Sequence, residues 1–350
     1  MAESGGHWST LAEAQKLTQS TTIPGVVETD IKLNNPIDRV PVAQAANSGV
    51  SIKYNREVTT VEDSVVGVDV GEELTWSEDV TYLTVEIALK RIYVQRKLDQ
   101  FIRDVYGNIN NYRAQVLLEM EKGQKRKIGD KMIYGDLTYS SGNKEWDGLH
   151  AIAADSTYGT PAANNIDMAE AALSLGKLRL LVDGMKGGVD EFWIPYEIGR
   201  RIDAAYQEVG FAGLNTATAG TMGSMSFGWN EAGKRIAYFD GIPFVKTDYL
   251  MAEQANTGAG SDARAKYSSG DKQYSVFAVK LGNVFDRVDG ITFGYGGTEG
   301  AGDLYKLVLF ANLEDYDAEG MRMITYGAML WGGPFAVGRI YDIEDVAVVI

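Results

Sequence analysis

Residues 108–135 read NINNYRAQVLLEMEKGQKRKIGDKMIYG, and the rest of the chain is organised around them. Ile109, Tyr112, Val116, Met120, Ile128 and Met132 fall on three- and four-residue steps, which places them on one helical face. Asn108 or Asn110 can cap the start, and Gly135 can close the end in a left-handed conformation. Lys122, Lys125, Arg126, Lys127 and Lys131 crowd the C-terminal half, where cations favour the helix dipole. The pattern predicts a long amphipathic helix with an apolar stripe and a basic tail. Gly123 and Gly129 lie inside it and each costs ~1 kcal/mol relative to alanine. They mark points where the helix bends or breaks.

Charge around this helix is uneven. The chain of 350 residues has a net charge of −15, which argues against general affinity for nucleic acid. Between Glu57 and Asp79 stand eight acidic residues, among them Glu62, Asp63, Asp69, Glu72 and Glu73, and no Lys or Arg. Between Lys90 and Lys131 eleven basic residues face five acidic ones. Two oppositely charged segments therefore sit side by side in sequence. Cysteine is absent, which excludes disulfides and thiolate metal sites, and the histidines are His7 and His150 alone. The longest uncharged apolar run, Met323 to Gly338, is short of the ~20 residues a membrane span needs and contains Pro334. The first ten residues lack the basic and apolar regions of a signal peptide, so the expectation is a protein made in the cytoplasm.

Residues 1–47, interrupted by Pro24, Pro36 and Pro41, read as an extended arm with a short helix near Ser9 to Leu17. Such an arm is either disordered or ordered against another subunit. Period-two alternation then marks strands from Val50 to Val58 and from Val80 to Leu89, a long hairpin with an acidic tip. Isolated hairpins are marginal, so this one must lie on something, and its charge calls for a basic surface. A short helix is expected near Val94 to Val105. Further on, Asp167 is expected to cap a helix running through Leu178. Phe192 to Pro195 reads as a buried strand, and Ile198 to Val209 as a helix. Residues 209–230 and 251–272 read as loops, with a tight turn at Asp240-Gly241 between them. The end is mainly β, with strands near 276–279, 291–295, 304–309, 322–330 and 338–343.

Motifs for chemistry fail one by one. The glycine-rich Gly294 to Gly302 lacks the lysine and the strand–helix context of a phosphate loop. The serines near Gly223 do not form a nucleophile elbow, and neither histidine sits in a triad or zinc pattern. The tip carboxylates lack calcium-loop spacing. No catalytic, cofactor or metal-ligating residue is assigned. The basic cluster at Lys122–Lys131 is a solvated face, a dock for an acidic segment of another subunit, or a surface for nucleic-acid phosphates.

The order of parts carries a resemblance. An arm is followed by the acidic hairpin, the segment Arg91 to Asp99, and the long helix ending in Tyr134-Gly135. Then come the Trp146-Asp147-Gly148-Leu149 turn, a central αβ region, the Asp240 to Phe244 turn, Val284 to Arg287, and terminal strands. This resembles the major capsid protein of tailed bacteriophages, with the Hong Kong ninety-seven-type fold. The resemblance implies an α+β chain with an N-arm at 1–47 and an extended hairpin, the E-loop, at 48–84. A peripheral domain would comprise 85–160 and 284–335, with 108–135 as its spine helix. An axial domain would comprise 161–283 and 336–350. It implies a non-enzymatic subunit without cofactors that self-assembles through hexamers and pentamers into an icosahedral virion shell around double-stranded DNA, built in the host cytoplasm. Partners would be a portal and a separate scaffolding protein, with a cement protein left open; packaged DNA would be touched weakly and without sequence preference, and no membrane is involved. An encapsulin-type compartment holding a protein cargo is the alternative, and a soluble α/β enzyme a second. The hairpin tip lacks lysine, so covalent cross-linking from it is not expected. The acidic tip would instead lie on a neighbour's basic face: Arg91, Arg96, Lys97, Lys122, Lys125, Arg126, Lys127 and Lys131. Gly123 and Gly129 would let the spine bend as a shell expands.

Overall fold

The computed structural model describes residues 28–45, 50–59, 62, 65–73, 76, 81–106, 112–137, 144–154, 164–215, 225–229, 235–255, 266–296, 303–311, 313 and 317–349. In chain order come β1 (Val42–Ala45), β2 (Ser51–Thr59), β3 (Thr81–Ala88), β4 (Lys90–Asp99), α1 (Gln100–Tyr106), α2 (Tyr112–Tyr134) and α3 (Leu149–Ala154). Next are β5 (Asn165–Ser174), α4 (Leu175–Gly184), β6 (Glu191–Ile194), α5 (Tyr196–Asn215), β7 (Met225–Trp229), β8 (Arg235–Phe239) and β9 (Ile242–Lys246). The chain closes with β10 (Glu253–Gln254), β11 (Lys272–Val279), β12 (Ile291–Gly296), β13 (Lys306–Phe310), β14 (Ala318–Trp331) and β15 (Val337–Val349).

Three sheets result. β1, β12, β14 and β13 form one in that order, and β4 also pairs with β14. β5, β15, β11, β6, β9, β8 and β7 form the second, with β10 on β11. Among the described residues β2 and β3 pair only with each other, as a hairpin. The long helix α2 lies across β4 and β14. It buries Met120, Ile128, Met132 and Ile133, and also Gln124, which fills the gap in the apolar stripe. The Gln124 side-chain nitrogen donates there to Thr325 Oγ1 at 2.7 Å. One apolar core joins this helix and the first sheet to Trp193, Phe277 and Val337 of the second.

The mixed α+β reading holds, and the five late strands all form. Several local expectations do not. Val94 to Asp99 is strand, not helix. Lys90–Asp99 pairs residue for residue with Ala318–Gly327, turning Leu98 inward and Tyr93, Gln95 and Lys97 outward. Residues 165–174 are likewise strand, paired in parallel with β15. Asp167 does accept a backbone N–H, from Ala169 at 2.8 Å, but this local turn sets Ala169 and Glu170 into the left-handed region and bulges the strand. The helix begins only after Ser174, whose hydroxyl caps it.

The expected loop at 209–230 shrinks, because α5 continues to Asn215 and Met225–Trp229 pairs with β8. Asp240 and Gly241 both have positive φ, which makes the two-residue hairpin that their sequence signals. Gly135 does not take the left-handed conformation. It is glycine because an added Cβ would lie 2.5 Å from the Trp146 carbonyl oxygen, where the chain returns beneath the helix end. Asn108, Asn110 and the helix near Ser9 lie outside the described residues.

Candidate assembly interface

The hairpin is rooted firmly. Ile52 is buried with Ala45 and Leu330. The Arg56 guanidinium donates to the Trp331 carbonyl and lies 5.7 Å from the Trp331 ring centre. Tyr54 donates to the same carbonyl at 2.6 Å. Arg56 is thus a buried cation held by a peptide oxygen and two aromatic faces, and it fixes the direction in which the hairpin leaves the body. Beyond it the side chains turn outward. Val65, Val66, Val68 and Val70 are exposed, and Trp76 is 99% exposed. Glu62, Asp69, Glu72 and Glu73 are exposed among them, while Asp63 lies outside the described residues. The acids also shape the tip: Asp69 N donates to Glu72 Oε2 at 2.9 Å, and Val70 N donates to Asp69 Oδ1 at 2.7 Å.

The predicted basic face divides in two. On one flank of α2 the chain's own arm covers it. Lys122 pairs with Glu28, Arg126 with Asp30 at 2.5 Å, and Lys125 with Asp38 at 2.7 Å. Asn35 locks the strap, donating to the Lys125 carbonyl at 3.0 Å and to the Tyr249 hydroxyl at 3.1 Å. Gly129 is the notch that admits Asn35. A Cβ there would overlap the Asn35 carboxamide and approach the Tyr249 ring to 3.1 Å. α2 runs unbroken through Gly123 and Gly129, so the helix is not interrupted at either. At Gly123 a Cβ would meet nothing within 4 Å.

The other flank is open. Arg91, Arg96 and Lys97 stand exposed on β4. Arg91 lies 5.8 Å over the Tyr93 ring. Lys127 and Lys131 face this side, paired with Asp130 at 3.6 Å and with Glu145 at 2.5 Å. A cleft of about 260 Å³ opens between β4 and α2, lined by Arg91, Tyr93, Lys127, Lys131, Lys144 and Trp146, with Ile92 and Glu145 completing it. Trp146 is buried against Phe293, and its indole N–H has no acceptor among the described residues.

A second charged cluster escaped sequence reading altogether. Glu253 on β10, Arg339 on β15 and His150 on α3 are almost fully buried. Arg339 donates to Glu253 Oε2 at 3.0 Å, His150 Nε2 to Glu253 Oε1 at 2.5 Å, and Ser275 Oγ to the same carboxylate. Tyr134, at the end of α2, stacks on His150 at 4.6 Å and donates to Glu253 at 3.2 Å. Burial raises the Glu253 carboxyl, but His150 and Arg339 outweigh it and hold it below the ordinary carboxylate range. Burial lowers the His150 pKa, against the pull of the Glu253 carboxylate. Burial and Glu253 together push the Tyr134 hydroxyl well up. Ser275 donates to Glu253 rather than to His150, so this is a tie between the α2 layer and the second sheet, not a nucleophile with its base. Sequence signals for it are faint. Arg339 is a lone cation in an apolar strand, and Glu253 sits in a segment that reads as loop.

No family model matches the sequence, and no curated protein is detectably similar to it. Solved structures match along nearly the whole chain. The holo-SrpI encapsulin complex from Synechococcus elongatus PCC 7942 matches with a TM-score of 0.59 at 11% identity, covering 97% of both chains. The capsid of a native GTA particle matches at 0.61 and 11% identity, covering 97% of this chain and 100% of the other. A structure from Mycobacterium phage Bobi matches at 0.57 and 11% identity, covering 95% and 97%. With its arm, projecting hairpin, spine helix and two sheets in that order, the chain has the Hong Kong ninety-seven-type capsid fold that phage and encapsulin shells share.

Proposed function

We propose that the chain is a non-catalytic shell subunit, the major capsid protein of a tailed bacteriophage, assembling through hexamers and pentamers around double-stranded DNA. The observation that carries this reading is the chain-long likeness to shell subunits, in a protein whose hairpin carries exposed valines, a tryptophan and carboxylates out from the body. A lone subunit gains nothing from that arrangement. A closed shell gains from it many times over, because single exposed pairs are worth only ~0.2–1 kcal/mol and repetition multiplies them. The acidic tip would meet the open flank of a neighbour, at Arg91, Arg96, Lys97, Lys127 and Lys131. Lys122, Lys125 and Arg126 are already engaged by the arm. A portal and a separate scaffolding protein would complete the assembly.

The encapsulin neighbour supports a second reading, a compartment around a protein cargo. Particles purified from the cells that naturally make them decide between the two. Nuclease-protected duplex DNA inside supports the capsid reading. A protein cargo without DNA overturns it in favour of the compartment.

A further inference from the structure

We propose that Trp76 of one copy seats its indole in the cleft between β4 and α2 of a second copy, making it the anchor of the interface. The inference rests on the shell reading above and names the contact that reading leaves open. Trp76 is 99% exposed, while tryptophan is usually shielded in folded chains and dominates contact energies when it fills a pocket. No described residue of its own subunit covers it, and among the described residues the two strands of its hairpin pair with no other strand.

The cleft suits this occupant in two ways. Its walls carry Arg91, Lys127, Lys131 and Lys144 against Glu145, a local excess of cations, and cations over an indole face are attractive. Its charge also complements the hairpin, whose stretch from Glu57 to Asp79 has eight acids and no base. The larger groove on the opposite flank is already crossed by the chain's own arm, whose Glu28, Asp30 and Asp38 pair there with Lys122, Arg126 and Lys125.

The absence of cysteine makes the test clean. Glu73→Cys and Tyr93→Cys subunits, both keeping Trp76, are prepared separately, mixed during assembly, and treated with a short bis-maleimide. Linked dimers are expected only in the mixture. The pair Glu73→Cys with Leu118→Cys, on the arm-covered flank, should stay unlinked. In parallel, Trp76→Ala should raise the protein concentration needed for assembly by roughly 30-fold or more, as for an interface hot spot. Trp76→Phe should recover most of it. Particles that form without the 73–93 link, or with a 73–118 link, overturn the inference and leave the shell reading standing. A wild-type protein that forms no particles removes the shell reading, and the inference with it.

Discussion

Two charged regions of this molecule use the same chemistry to opposite ends. Glu253, Arg339 and His150 are sealed between α2 and the second sheet, with Ser275 and Tyr134 completing their hydrogen bonds. The carboxylates of the hairpin and the cations of the β4–α2 flank lie in water on separate surfaces. The sealed cluster meets its partners within one subunit and holds that subunit's two layers together. The exposed groups, on the proposed shell reading, would act when copies meet. On the proposed shell reading, burial separates a charge that stabilises the fold from a charge that would recruit a neighbour.

Breaking the sealed region should do the most damage to the subunit. Glu253→Ala leaves Arg339 and His150 buried without their carboxylate and should cost ~3–5 kcal/mol of stability. Denaturant unfolding of the isolated subunit measures this, and a loss under ~1 kcal/mol would mean that the network carries little of the fold. The exposed region should behave in the reverse manner. Glu72→Lys with Glu73→Lys should leave the melting temperature of the subunit unchanged while particle yield collapses. Normal shells from that variant would remove the electrostatic role of the hairpin.

Acid sharpens the same contrast. The folded pKa of His150 lies below its ordinary value of 6.5, so the unfolded chain takes up the proton first. Stability is then full above about pH 6.5 and declines as pH falls below it. Glu253, held below its ordinary 4.5, adds a second loss as pH falls under that value. Melting curves from pH 7 to 4 should show both declines, and His150→Gln should abolish the first.

The two helix glycines give the smallest effects and opposite signs. Gly129→Ala intrudes on Asn35 and should cost ~1–3 kcal/mol by overpacking, loosening the arm. Gly123→Ala meets open space and should stabilise by ~1 kcal/mol through helix propensity. If Gly123→Ala shells also expand like the wild type, the bend assigned to that glycine is withdrawn.

How much of this was legible in the sequence depended on range. The hairpin was legible because Ile52, Tyr54 and Arg56 alternate with outward residues and their partners Ile87, Val85 and Leu83 do the same. The Asp240-Gly241 turn was legible because the requirement for positive φ is local. The segment Val94 to Asp99 reads as helix but is strand through its pairing with Ala318–Met323, more than two hundred residues away. The basic flank was visible as composition, but its division was not. That division is decided by where Glu28, Asp30 and Asp38 return, and by the one missing side chain at Gly129 that lets Asn35 in. The sealed network draws on five separated segments, each with one unremarkable polar residue.

The central claim is that this chain builds a shell from many copies of itself. Negative-stain electron microscopy of the purified protein tests it most directly. The account predicts closed particles of uniform diameter, or free hexameric and pentameric rings. Monomers and dimers at every concentration examined, with no rings or shells, would contradict it.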